Sequence, residues 1–67
     1  MTRFEAFEKS ATTGCAIKHR FFSEEEFITI NPYNKIITDD GYRFSIDEFL
    51  KYRNSKEWET DWEVIEL

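Results

Sequence analysis

The chemistry this sequence can offer is concentrated in one stretch, Gly14-Cys15-Ala16-Ile17-Lys18-His19-Arg20-Phe21-Phe22. Ahead of Gly14 the apolar residues recur at helical spacing; beyond it they alternate. Side chains of a strand point in turn to its two faces. The alternation therefore places Cys15, Ile17, His19 and Phe21 on one side and Ala16, Lys18, Arg20 and Phe22 on the other. The second side sets two cations beside an aromatic ring, a combination suited to a planar anionic ligand. The same pattern describes a half-buried strand whose polar side faces water, because scattered basic residues on strands are ordinary.

Other chemistries find less support. Cys15 and His19 share a strand face but lie about 13 Å apart at roughly 3.3 Å per residue, too far for a nucleophile and its base. Gly14 and Gly41 are the only glycines, so no glycine-rich phosphate loop exists. No carboxylate sits in an apolar run that would raise its pKa. Glu24-Glu25-Glu26 and Asp39-Asp40 could attract a divalent cation, although solvated turns carry such runs routinely. One cysteine and one histidine cannot make a structural zinc site, which wants about four ligands. The sequence thus predicts neither an enzyme nor a cofactor.

The elements around that stretch follow from local signals. Thr2-Arg3-Phe4-Glu5 has the form of a capping box, and Phe4, Phe7 and Ala11 recur at helical spacing. A helix is expected over about residues 3–12, ended by Gly14 in a left-handed cap. Strands are expected over about 15–22, 27–30, 35–38 and 42–44. Asn31-Pro32-Tyr33-Asn34 separates the second from the third, and the hairpin signal Asp39-Asp40-Gly41 the third from the fourth. Ser45-Ile46-Asp47-Glu48 repeats the capping box and opens a short helix to about Tyr52. Trp62-Glu63-Val64-Ile65 closes the pattern as a strand. The expected fold is α+β, a single domain over residues 1–67. An N-terminal helix packs on an antiparallel sheet of about four strands, with a short helix before the last strand.

Composition narrows the partners. Sixty-seven residues bury a small fraction of their surface, and a lone cysteine gives no internal disulfide. Seven Phe, three Tyr and two Trp suit an aromatic core or an interface, so a homo-oligomer, a dimer or tetramer, is expected. A net charge of −5 with dispersed acid argues against binding nucleic-acid phosphates. No stretch approaches the roughly 20 apolar residues of a membrane span, and no signal-peptide pattern is visible. A cytoplasmic protein without membrane contact is expected.

Pieces of this chain resemble the second Thoeris anti-defence family, small phage proteins that act as sponges for nucleotide immune signals. The family opens with a Phe-Glu-Ala-like helix, here Phe4-Glu5-Ala6, and continues with a strand of the type Gly-Lys-x-Val-x-Arg-x-x-Trp, here Gly14 to Phe22. It closes with Asp-Trp-Glu-Val, here Asp61-Trp62-Glu63-Val64. Asp40-Gly41-Tyr42 and Ser45-Ile46-Asp47-Glu48 match between them. Three positions depart: Cys15 replaces a basic residue, His19 an arginine and Phe22 a tryptophan.

The resemblance implies a homo-oligomer in the host cytoplasm, with pockets between subunits that enclose a cyclic nucleotide without cleaving it. Cyclic ADP-ribose types or cyclic oligonucleotides are the ligands it implies. Carried over residue by residue, Phe22 stacks a base and Arg20 or His19 meets phosphate. Asn31 and Asp61 make polar contacts to base or ribose, and Trp62 lines the site or anchors the core. An alternative follows from the acidic charge: a protein that blocks a host enzyme or nucleic-acid-binding protein by direct contact.

Overall fold

A computed structural model describes residues 1–65. Helix α1 spans Arg3–Thr13 and is followed by strands β1 (Ala16–His19), β2 (Ile28–Ile30), β3 (Lys35–Thr38) and β4 (Arg43–Ser45). Helix α2 (Ile46–Leu50), a single 3-10 turn at Lys56–Trp58 and strand β5 (Trp62–Ile65) complete the chain. The sheet is antiparallel throughout, ordered β4-β3-β2-β1-β5. The architecture is the α+β one expected, with five strands where about four were anticipated.

Both capping boxes form. The Glu5 N–H donates to Thr2 Oγ1 (3.1 Å) while the Thr2 N–H donates to Glu5 Oε1 (2.9 Å). Glu48 and Ser45 repeat the exchange at α2. Helix α1 runs through Thr12 and Thr13 because their hydroxyls donate to the carbonyls of Glu8 and Lys9. Gly14 then turns left-handed at φ 76° and its N–H donates to the Ser10 carbonyl, a conformation that a Cβ disfavours.

The first strand is shorter than its alternation suggests. The Phe22 N–H bonds back to the His19 carbonyl (2.9 Å), and the Phe21 N–H donates to His19 Nδ1 (3.0 Å). Arg20 to Phe22 therefore form a turn, and face alternation ends at His19. The short 3-10 turn at Lys56–Trp58 was not expected; it is placed by tertiary bonds described below.

Register puts the core on one face. Ile17 pairs with Ile28 and Val64, Ile30 with Ile36, and His19 with Trp62. Helix α1 covers β1, β2 and β5 and α2 covers β3 and β4, so Ala6 and Phe49 join Ile17, Ile28, Ile30, Ile36 and Trp62 in one cluster. Ser10 is buried beneath α1. Its hydroxyl donates to the Cys15 carbonyl (2.6 Å) and accepts from the Ile30 N–H (2.8 Å), tying helix to sheet. The opposite face carries Lys18, Thr29, Ile37, Arg43 and Glu63, half-buried or exposed. No helix among the described residues is long and apolar enough to cross a membrane.

Candidate functional site

Strands β1 and β5 run side by side with Lys18 opposite Glu63 and His19 opposite Trp62. The pairing extends one step further, where the Arg20 N–H donates to the Asp61 carbonyl (3.2 Å). Asp61 sits at φ 66°, a left-handed conformation that Asp tolerates better than most residues. Its Oδ2 lies 3.3 Å from Arg20 Nε. Lys18 Nζ lies 3.4 Å from Glu63 Oε1. The guanidinium of Arg20 also rides 4.9 Å above the Phe21 ring. The paired residues Lys18 to Arg20 and Asp61 to Glu63, with Met1, Phe22 and Glu24, line an open cleft of about 590 Å³.

Five of the six residues singled out from sequence meet at this cleft: His19, Arg20, Phe22, Asp61 and Trp62. They do not meet as equals. His19 is 1% exposed. Its Nδ1 accepts the Phe21 N–H, and its Nε2 lies 2.8 Å from the Glu57 carbonyl, which can only accept. These partners select the tautomer with hydrogen on Nε2 and leave neither nitrogen for a phosphate. The ring lies against Trp58 in a tilted stack at 4.3 Å and meets Trp62 edge-on at 5.1 Å between centroids. His19 thus organises the fold, and the bond from its ring to the Glu57 carbonyl holds the 3-10 turn in place.

Trp62 is 2% exposed, and its Nε1–H donates to the Trp58 carbonyl (2.8 Å). It anchors β5 in the core. Phe22 is half-buried, its ring in a T-shaped pair with Trp62 at 5.7 Å, and it lines the cleft. Arg20 and Asp61 are exposed at the mouth. Asn31 lies elsewhere: its Oδ1 accepts the N–H groups of Tyr33 and Lys35 and shapes the turn between β2 and β3.

Sequence reasoning placed Lys18 on the basic side but did not pair it. Aligning β1 antiparallel with β5 brings Glu63 opposite it, and that alignment was the available signal. A second hollow was not foreseen. It lies at the other edge of the sheet, beneath α2, and draws Phe27, Thr38, Phe44, Phe49 and Arg53 from separate segments. No local pattern announces it. Among the described residues no group of three or more His, Cys, Asp or Glu could hold a metal ion.

Electrostatically the β1–β5 cleft is poised and not committed. Lys18, Arg20 and the Met1 ammonium face Glu24, Asp61 and Glu63; Lys18 and Arg20 are paired with Glu63 and Asp61, and the ammonium donates to the Trp62 carbonyl. Solvent-exposed pairs contribute only about 0–1 kcal/mol. A phosphate offering shorter, bidentate bonds can replace a carboxylate on Arg20 at little cost. Compared with known proteins, the chain matches no family model, no curated protein and no solved structure.

Proposed function

We propose that this protein is a non-catalytic sponge that holds a cyclic nucleotide at the β1–β5 cleft, in a homo-oligomer whose copies close the cleft over the ligand. The convergence of Arg20, Phe22, Asp61 and Lys18 on one open cleft carries the reading. Arg20 supplies the charge-assisted bonds to phosphate, and the half-buried Phe22 ring offers a stacking face worth roughly 1–3 kcal/mol per base. Asp61, once displaced from Arg20, accepts from a base or a ribose hydroxyl. Sequestration requires tight, closed binding and no acid–base pair, which suits a cleft whose only histidine is locked by backbone partners. The resemblance to the anti-defence sponges points to the same ligand class.

Titration calorimetry against cyclic ADP-ribose isomers and cyclic di- and trinucleotides tests the proposal. At least one ligand binds, Arg20→Gln weakens it about tenfold or more, and the ligand is recovered intact after the protein is denatured. Silence across the panel overturns the assignment, and so does recovery of a cleaved product.

A further inference from the structure

We propose that the hollow beneath α2 is a separate binding site for a planar ring that carries one anionic group. It encloses about 380 Å³, within the range of small-molecule pockets, and is more enclosed than the β1–β5 cleft. Ile28, Phe44 and Phe49 give it an apolar floor. Because β4-β3-β2-β1-β5 is the strand order, it lies at the opposite edge of the sheet from the cleft described above. It stands independently of the nucleotide proposal.

The placement of Arg53 points to the sign of the ligand. Arg53 is held in place: its guanidinium lies 4.4 Å over the Phe49 ring and its Nη1–H donates to the Phe49 carbonyl (3.2 Å). That bond uses one of five N–H donors and leaves the rest of the fork unspent. Neither Arg53 nor Lys51 has a carboxylate partner among the described residues, whereas Lys18 and Arg20 of the other cleft are paired. Two of the three carboxylates beside the hollow each commit one oxygen within their own segment. Glu26 Oε1 accepts from the Ser23 N–H and hydroxyl, and Glu48 Oε1 closes the α2 capping box. Asp39 alone is uncommitted. The unspent donors of Arg53 are thus set directly above aromatic carbon. Tyr52, 80% exposed, supplies a second ring that can close on a flat ligand.

A carboxylate or a phosphate on the ring satisfies this geometry equally, and two probes separate them. The full-length chain, labelled with nitrogen-15, is titrated with naphthoate, with adenosine monophosphate and with uncharged naphthamide, following backbone amide shifts. One of the two anions shifts Phe44, Phe49 and Tyr52 saturably, and whichever does so names the anion. Naphthamide binds at least about tenfold more weakly, and the exposed substitution Lys51→Gln weakens the anion about fivefold without disturbing the remaining spectrum. Arg53→Gln weakens it further, with Lys51→Gln as the arbiter if loss of stacking on Phe49 unfolds the chain. No shift with either anion, equal binding of naphthamide, or shifts confined to Arg20, Phe22 and Asp61 each overturns the proposal.

Discussion

His19 and Arg20 are neighbours in sequence with opposite duties, and substitution separates them. His19→Leu strips partners from the Phe21 N–H and the Glu57 carbonyl inside an aromatic cage. An unsatisfied buried group costs about 1–3 kcal/mol, and with both of these bonds only part-buried a loss of about 2 kcal/mol is expected in urea unfolding. Arg20→Gln removes an exposed ion pair and changes stability by less than about 0.5 kcal/mol, while ligand binding falls. The reverse result, a stable His19→Leu chain that has lost only its ligand, would return His19 to the binding surface. Ser10 offers a cleaner measure of the helix–sheet joint. Ser10→Ala leaves the Ile30 N–H and the Cys15 carbonyl unpaired, at about 2 kcal/mol, or about 8–16 °C in Tm for a chain of this size.

At the scale of elements, the two capping boxes make stability depend on acid. Glu5 is held below the ordinary glutamate range by the Thr2 backbone N–H and hydroxyl, and Glu48 by those of Ser45. A carboxyl whose folded pKa is depressed adds stability that is fully present above the unfolded value, about 4.3, and is lost as pH falls through the folded one. Thermal melts are therefore expected to decline below about pH 4.5, with a shallower decline for the Glu5→Gln and Glu48→Gln pair. An unchanged acid limb in that double variant would remove the boxes as its cause. The same boxes explain why both helix starts were legible in sequence: Thr2 with Glu5 and Ser45 with Glu48 are local signals needing no tertiary help. Strands β3 and β5 were equally legible, being β-branched or alternating runs bounded by turn residues. The end of β1 was not, because Arg20-Phe21-Phe22 has strand-like composition and is turned by a bond to a buried histidine ring. The 3-10 turn was hidden for a related reason: His19 fixes it from far along the chain, with Trp62 bonding back to Trp58 close by. Of the site, the contributions of β1 and β5 could be read from their motifs. Asn31 could not be excluded, since an Asx turn and a ligand contact ask for the same residue type.

The whole molecule poses a question of surface. A 67-residue chain with a free Cys15 gains nothing from disulfides and leaves Phe4 77%, Tyr33 84% and Tyr52 80% exposed. Domains this small bury only about 60% of the surface of the unfolded chain, and stability is correspondingly thin. One sheet face is filled by α1 and α2, while the other presents Thr29 and Ile37 between Lys18, Arg43 and Glu63, with no helix over it among the described residues. Covering part of that surface with a second copy removes aromatic and β-branched area from water at the strength of roughly 25 cal/mol per Å². Association that involves only folded chains must then raise apparent stability with concentration, because mass action favours the paired state. Across a hundredfold rise in protein the gain approaches 2.7 kcal/mol, shared between the copies of a dimer, or several degrees in Tm. Sedimentation at those concentrations should move from the 8.1 kDa of one chain to a multiple of it. A bound nucleotide that bridges copies should shift the same curve toward lower protein concentration, whereas a ligand held beneath α2 should raise Tm without altering the sedimenting mass. A flat Tm with a sedimenting mass of one chain throughout would dissolve the shared cleft, and the sponge with it, while leaving the α2 hollow to stand on its own titration.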